Sequence, residues 1–194
     1  MEDLSRKRIM NLGGWVQTYS GIQFWPEDPR VEDIDIYDII HSLSNQCRYT
    51  GHTNEFYSVA QHSVICSLNI IPKHAKWALM HDAAEAYISD LASPIRKLCP
   101  AHLDLEEKIQ IVIAEKFGLE LPVPKQITEM DWRVLATEKR DLLGQSPASW
   151  GRLPNPLEGK IKAQTPNQAR VAFTKRFKEL FGPMDSYRAT NLWR

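Results

Sequence analysis

Two histidines and two aspartates in this sequence have the chemistry and the spacing of metal ligands. His81 and Asp82 are adjacent, and Glu85 follows one turn after His81 on the same face of a predicted helix. His62 precedes His81 by nineteen residues, across a Pro-Lys turn that allows two antiparallel helices to bring the two rings together. Asp131 lies in a later predicted helix among apolar neighbours, where an unpaired buried carboxylate would be very costly.

Two imidazoles and two carboxylates make a donor set of nitrogen and oxygen without a thiolate. Such a set suits Mn, Co, Ni or Fe in octahedral geometry, or a catalytic zinc. The ion would lower the pKa of its water and neutralise charge on a phosphoryl group, and Glu85 would orient or deprotonate that water. Spacing alone leaves a second interpretation open, in which His62 and His81 are core histidines and Asp131 is a solvated helix acid.

The composition is that of a globular protein. Its 194 residues suffice for one domain with a substantial core, and 43% of them are hydrophobic. The 24 basic and 24 acidic side chains give no formal net charge, so we expect no nucleic acid polymer as partner, and an anionic ligand must meet a local group of cations. Three cysteines without CxxC spacing, Cys47, Cys66 and Cys99, are predicted to be reduced and buried thiols.

The sequence gives no sign of a membrane protein. Residues 1–10, MEDLSRKRIM, lack the apolar stretch of a signal peptide, and no segment reaches about 18 consecutive apolar residues. We therefore expect a soluble protein of the cytoplasm without a membrane partner.

Helical periodicity predicts an all-α fold. Residues 15–25 alternate around a Ser-Gly break and are compatible with a short N-terminal β-hairpin. A stretch rich in Pro, Gly and Ser precedes the last helix. We expect a single domain over 1–194, with a core at about 36–143 and a C-terminal loop and helix at 145–194. The helices are predicted near 35–47, 58–71, 73–89, 101–117, 125–144 and 166–181.

Three segments resemble a known family, the HD-domain metal-dependent phosphohydrolases. They are HSVICS at 62–67, MHDAAEAYISDLASPIRK at 80–97 and EMDWRVLATE at 129–138, which together resemble the H…HD…D signature of that family. From about Ile36 to Leu143 the chain is similar to the branch that holds bacterial 5′-deoxynucleotidases and phage dATP triphosphohydrolases. The resemblance implies an HD-domain helical bundle whose metal ligands are His62, His81, Asp82 and Asp131.

The same resemblance assigns catalytic residues and a cofactor. It implies that Glu85 activates the nucleophilic water. Asp90 matches the family's downstream acid, which lies near the phosphate and the sugar or near a second ion. The implied cofactor is a divalent transition metal (Co, Mn, Ni, Fe or Zn), with Mg as a candidate for the second ion.

Phosphate binding requires cations, and Arg48 matches a phosphate-gripping Arg of the family; a guanidinium fork suits that role. Its alternative is a solvated charge at a helix end. Tyr49 follows it where some family members have Trp. The remaining substrate-binding candidates are His52, Tyr87 at the sugar pocket, and Arg96 and Lys97 just after Pro94.

Other aromatic residues are less specific signals. Trp25 and Phe56 could stack on a base, although a lone aromatic residue more often belongs to the core. Trp132, beside Asp131, is predicted to pack in the core.

The predicted reaction is metal-dependent hydrolysis of a deoxynucleotide. The leading form is a dATP-type dNTP triphosphohydrolase, which releases deoxynucleoside and triphosphate by attack of a metal-bound water. One alternative is a 5′-deoxynucleotidase that releases phosphate from dNMPs, and another is a phosphodiesterase of a signalling nucleotide, against which the small size counts. A module that only binds a nucleotide or a partner would be expected to lack a ligand, yet all four ligand types are present.

Assembly and location are also implied by the resemblance. Family members are homo-oligomers, so we expect a dimer or a hexamer, and the Pro-rich stretch 146–157 is a candidate for its interface. The location would be the cytoplasm, or the host cytoplasm if the protein is phage-encoded.

Overall fold

The computed structural model describes residues 13–190. This part of the chain is mostly helical with one two-stranded sheet, so the prediction of an all-α fold with a short hairpin is confirmed at that level. The predicted domain also includes 1–12, with the segment MEDLSRKRIM, and 191–194, which lie outside the described residues. The α-helices are α1 Ile36–Asn45, α2 Val59–Leu68, α3 Ala75–Met80, α4 Glu85–Ile88, α5 Ser93–Arg96, α6 Pro100–Phe117, α7 Lys125–Leu142 and α8 Pro166–Phe181.

The N-terminal hairpin pairs two short antiparallel strands, β1 Val16–Gln17 and β2 Gln23–Phe24. Its turn contains Gly21 at φ 83°, a left-handed conformation that glycine adopts without steric cost. Phe24 is fully buried and stacks on Tyr87 with ring centroids 4.1 Å apart. The hairpin is thereby anchored to the helical core.

Side-chain caps fix the starts of three helices. Asp35 accepts from the N–H of Tyr37 at the start of α1, and Ser58 accepts from the N–H of Gln61 at the start of α2. Thr165 begins α8 with a capping box. These helices, together with α6 and α7, lie where the sequence predicts them.

The predicted helix over 73–89 is not continuous. After α3 ends at Met80, residues 81–84 form a turn in which N–H groups donate to the third residue before them rather than the fourth. The carbonyl oxygen of His81, freed from the helical ladder, accepts instead from Gln110 Nε2 at 3.2 Å. A side chain from α6 thus replaces a backbone donor, and α4 is a single separate turn.

The helices pack around α2, which contacts α1, α3, α7 and α8. Phe173 and Phe177 of α8 are fully buried in the larger core cluster. A smaller cluster between α2, α3 and α7 contains Cys66, Trp77 and Val134. As a result, the elements that carry His62, the His81-Asp82 turn and Asp131 are neighbours in space.

The stretch between α7 and α8 has no regular secondary structure but is hydrogen-bonded to side chains of α2 and α7. Gln61 of α2 donates to the carbonyl of Lys162 at 2.7 Å and accepts from the N–H of Gln164 at 2.9 Å. Thr137 of α7 accepts from the N–H of Leu157 at 2.8 Å. Over residues 13–190, no helix combines the length and the apolar character needed to cross a bilayer.

Candidate metal centre

The structure brings all four predicted metal ligands together. His62 comes from α2, His81 and Asp82 from the turn after α3, and Asp131 from α7. His62 Nε2 lies 3.3 Å from His81 Nε2, 3.1 Å from Asp131 Oδ1 and 3.5 Å from Asp82 Oδ2. His81 Nε2 is also 3.2 Å from Asp82 Oδ1. Four donor side chains from three elements therefore surround one small volume.

The surroundings of His62 Nε2 fit a metal ion. Besides the three atoms above, Cys66 Sγ lies 3.5 Å away. All four neighbours carry lone pairs, and a single ring nitrogen cannot form a hydrogen bond to each of them. A cation between them would satisfy the whole group. His62, Cys66 and His81 form a group that could hold a metal ion.

Cys66 lies next to the four predicted ligands. It is buried, as the sequence predicts, and its thiol is free. The predicted donor set contains no sulfur, yet the structure places Cys66 Sγ beside His62 Nε2, because Cys66 is four residues after His62 on α2 and shares its face. That spacing was the signal in the sequence that could have found it.

Both imidazoles are held with Nε2 towards the centre. His81 Nδ1 is 2.9 Å from the carbonyl of Ala78, and His62 Nδ1 is 2.6 Å from Oε1 of Glu138. A hydrogen bond at Nδ1 fixes the ring and leaves Nε2 to face a metal. This arrangement is typical of histidines that bind metal through Nε2.

Glu138 is a buried member of the site that the sequence analysis did not single out. It is fully buried, accepts a hydrogen bond from the Tyr49 hydroxyl, and lies 3.5 Å from Arg48 Nε. Although burial opposes it, Arg48 and then His62 lower the pKa of Glu138 to about 2, so it stays ionised. Glu138 follows Asp131 by seven residues, two helical turns, which was the available signal.

Neighbouring charges and hydrogen bonds shift the pKa values of two predicted ligands, His62 and Asp131, in opposite directions. Burial and Arg48 disfavour the imidazolium of His62, but Cys66, then Glu138 and the hydrogen bond to Asp131, outweigh them and raise the pKa of His62 well above its ordinary value. Despite burial, the hydrogen bond to His62 holds the pKa of Asp131 far below its usual range.

Arg48, the predicted phosphate-binding residue, lies at the edge of this group. Its Nη1 is 3.3 Å from Asp82 Oδ2, and its side chain is only 11% exposed. The alternative of a solvated charge at a helix end is therefore wrong. An arginine held between Asp82 and Glu138 is already oriented before any ligand arrives.

The backbone after Arg48 is strained. Tyr49 at φ 56°, Thr50 at φ 53° and Gly51 at φ 79° are three successive left-handed residues. For residues other than glycine such a conformation costs on the order of 1 to 3 kcal/mol and requires support from its surroundings. The support comes from the Tyr49 hydroxyl on Glu138 and from the pairing of Cys47 with Ser58.

The predicted catalytic acids Glu85 and Asp90 also lie beside the ligands. Burial first, then the charges of Asp82 and Asp90, raise the pKa of Glu85 well above its ordinary value. Glu85 Oε2 is buried and has no hydrogen-bond partner within residues 13–190. Gln46 Nε2 donates to the carbonyl of Glu85 at 3.0 Å, and Gln46 Oε1 accepts from the N–H of Asp90 at 3.1 Å. Gln46 thus positions both acids, a role with no signal in the sequence.

Aromatic residues line the rim near Arg48. The rings of Tyr49 and Trp150 are 6.4 Å apart, and Lys139 Nζ lies 5.3 Å from the centroid of Trp150. Trp150 is 43% exposed. Trp132 is 51% exposed, so the prediction that it packs in the core is wrong.

Four predicted substrate-binding residues lie elsewhere. Tyr87 is buried in the main core, where its ring stacks on Phe24. Arg96 is paired with Glu106 at 2.6 Å. His52 and Lys97 are exposed. Across the described part of the chain, none of the four forms a hydrogen bond or ion pair with the ligand residues.

Comparison with known proteins identifies two similar chains. The uncharacterized protein YfdR of Escherichia coli is 40% identical over 169 residues, which cover 86% of this chain and 95% of that protein. The uncharacterized protein RCAP_rcc00048 of Rhodobacter capsulatus is 28% identical over 182 residues, which cover 84% of this chain and 93% of that protein. No family model matches the chain.

Proposed function

The chain belongs to the same family as the uncharacterized protein YfdR of Escherichia coli, and from its candidate metal centre we propose that it is a metal-dependent phosphohydrolase of the HD-domain type that acts on deoxynucleotides. One observation carries the proposal. A compact group of nitrogen and oxygen donors has an oriented arginine, Arg48, and a buried carboxyl, Glu85, at its edge. Metal, phosphate-binding cation and base are the three parts that such hydrolysis requires.

The proposed metal ligands are His62, His81, Asp82 and Asp131. A divalent ion held there would lower the pKa of a coordinated water and neutralise charge on the phosphoryl group. Asp82 and Asp131 are partly exposed, whereas His62 is fully buried. The substrate therefore approaches from the side of the two carboxylates.

Glu85 is the proposed general base. Its raised pKa suits a group that takes a proton from the attacking water near neutral pH, and its free Oε2 has no competing hydrogen bond among the described residues. The water oxygen forms a bond to phosphorus and the bond from phosphorus to the 5′-oxygen breaks. The proton that Glu85 took from the water passes to the 5′-oxygen, so that the deoxynucleoside leaves with a hydroxyl group and Glu85 is ionised again. Arg48 binds the phosphate and stabilises the charge that develops on it.

The proposed substrate is a dNTP, dATP-type, which would yield deoxynucleoside and triphosphate. Tyr49 and Trp150 at the rim provide faces for a nucleobase, and Lys139 lies against the Trp150 ring. The same metal and base would also serve a 5′-deoxynucleotidase, which is the alternative outcome of the test below. We also propose that the protein works as a homo-oligomer, a dimer or a hexamer, which light scattering would measure.

The test is incubation of the purified protein with Co(II) or Mn(II) and with dATP, dAMP, a cyclic dinucleotide or guanosine tetraphosphate. We expect deoxyadenosine and triphosphate from dATP. Phosphate from dAMP alone would identify the nucleotidase, and turnover of only the last two substrates would identify a signalling phosphodiesterase.

Two ligand variants connect this activity to the site. His81→Ala and Asp82→Ala should abolish hydrolysis and bound metal together. The matched control is Asp104→Ala, an exposed acid on α6 that should leave both unchanged. Full turnover by a metal-free variant would contradict the proposal.

A further inference from the structure

Cys66 lies on the inner side of the candidate metal centre. Its Sγ is 3.5 Å from His62 Nε2, and the residue is 1% exposed. The donor atoms of His62, Cys66 and His81 all lie within 4.8 Å of one another. The carboxylates of Asp82 and Asp131, in contrast, are on the partly exposed side.

The separations match those that a shared ion imposes. With metal–nitrogen bonds of about 2.0 to 2.1 Å, a metal–sulfur bond of about 2.3 Å and ligand angles of about 90° to 109°, an ion holds two nitrogens about 2.9 to 3.4 Å apart and a nitrogen and a sulfur about 3.1 to 3.6 Å apart. The structure has 3.3 Å between the Nε2 atoms of His62 and His81, and 3.5 Å between His62 Nε2 and Cys66 Sγ.

We propose that Cys66 Sγ is a ligand of the metal, so that this site takes a thiophilic ion such as Zn(II) or Co(II) in preference to Mn(II) or Mg(II). This inference rests on the metal site of the proposed function and names its ion class. Soft thiolate donors select zinc, whereas carboxylates and water suit manganese and magnesium. The thiol proton leaves to solvent when the ion binds, because only the thiolate coordinates.

The competing role for Cys66 is packing. The residue belongs to the smaller core cluster with Trp77 and Val134, and a free cysteine is a good small hydrophobe. A packing role predicts that serine at this position changes stability but not the electronic spectrum of a bound metal. Spectroscopy therefore separates the two roles where activity would not.

The experiment is the absorption spectrum of the full chain loaded with Co(II). A thiolate-to-cobalt charge-transfer band in the near ultraviolet is expected, and it should disappear in Cys66→Ser and in Cys66→Ala while the visible cobalt bands persist. Circular dichroism confirms that each variant is folded. Cys99→Ser is the matched control and should keep the band, since Cys99 precedes α6, outside the donor group.

Competition between zinc and manganese gives the second measurement. Loss of a residue that only supports a metal ligand weakens metal binding by about 10- to 100-fold. We expect Cys66→Ser to weaken Zn(II) binding by more than this range and to weaken Mn(II) binding less. Three results would overturn the inference. The unsubstituted protein could fail to bind cobalt, or it could show the visible cobalt bands without the thiolate-to-cobalt charge-transfer band. The charge-transfer band could also persist in Cys66→Ser. If the protein hydrolyses a nucleotide but lacks the charge-transfer band, only the assignment of Cys66 as a ligand is contradicted. If it has the band but hydrolyses none of the substrates, only the proposed function is contradicted.

Discussion

His62 Nδ1 and Glu138 Oε1 are 2.6 Å apart in the interior, and neither side chain is exposed to solvent. Because a carboxylate can only accept, Nδ1 must carry the proton and Nε2 faces Asp131, Asp82 and His81. Glu138 therefore determines which ring nitrogen would be presented to a metal, although it contacts only the Nδ1 side of the His62 ring, away from the other donor atoms.

Glu138→Gln should weaken metal binding by about 10- to 100-fold. The amide keeps the size of the side chain but removes the charge that orients His62 and balances Arg48. Chelator competition measures the affinity, and nitrogen NMR of the His62 ring reports the loss of a single tautomer. The result would speak against an orienting role if the variant bound metal as tightly as the unsubstituted protein.

The control for this substitution is Tyr49→Phe. It removes one hydrogen bond to Glu138 but leaves both the charge and the contact with His62. We expect metal affinity to stay within a few-fold of the original value. An equal loss in both variants would mean that general destabilisation, not orientation, explains the effect.

The pH dependence of hydrolysis should report Glu85. A base acts in its ionised form, and burial followed by the charges of Asp82 and Asp90 raises its pKa. Activity should therefore fall as the pH decreases, and the fall should begin well above about pH 4.3, the pKa of an ordinary glutamate. Asp90→Asn removes a like charge and should move this acidic limb to lower pH in the measured profile of kcat/KM.

Glu85→Gln completes that experiment. It should lower kcat by about 100- to 10,000-fold, the usual contribution of a general base, while the metal content stays near that of the original protein. If Asp90→Asn moves the limb upward, or if Glu85→Gln keeps full activity, Glu85 is not the base.

Trp150→Ala should raise KM for the nucleotide with little change in kcat. Stacking of a base on an aromatic ring contributes about 1 to 3 kcal/mol, which corresponds to roughly 5- to 150-fold. An effect on KM alone indicates binding that is equal in the ground and transition states. Trp15→Ala removes a similarly exposed ring from the N-terminal hairpin region and should leave both constants unchanged.

Thr50→Gly should stabilise the protein by about 1 kcal/mol, because glycine adopts the left-handed conformation at φ 53° without the steric cost that a β-branched residue pays. The side chain of Thr50 is exposed, so the substitution removes no packing. Urea unfolding measures the change. Thr50→Ser keeps a Cβ atom and should gain much less; equal stabilities of all three proteins would show that this turn is unstrained.

The sequence predicts those parts of the site that depend on residue type and on spacing within one helix. It does not predict the parts that depend on how helices pack against one another. The grouping of His62, His81, Asp82 and Asp131 could be predicted because metal-ligand chemistry restricts the residue types and helical periodicity restricts the helix faces on which they lie. Glu138 and Cys66 obey the same periodicity, seven and four residues from a ligand, but a lone glutamate or cysteine on a helix has many other uses. Their proximity to His62 depends on packing between helices.

Hydrophobic periodicity could not predict the interruption between α3 and α4. The apolar residues of 73–89 continue at helical spacing, yet the helix ends at Met80, and Gln110, on a distant helix, donates to the carbonyl of His81. Tyr87, predicted to line a sugar pocket, is instead buried in the core against Phe24. Trp132 shows a similar limit, since residue type suggested burial and the packing of α7 left it exposed.

Gln61, next to the ligand His62, holds residues on both sides of Ala163 through its side-chain amide. Together with Phe173 and Phe177 of α8, it makes the last third of the chain part of the scaffold of the first ligand. Residues 36–143, which carry the resemblance and all four predicted ligands, are therefore not a separable unit. Loss of the C-terminal helix and release of the metal should be one cooperative event, and a minimal fragment that keeps every ligand would still lose the site.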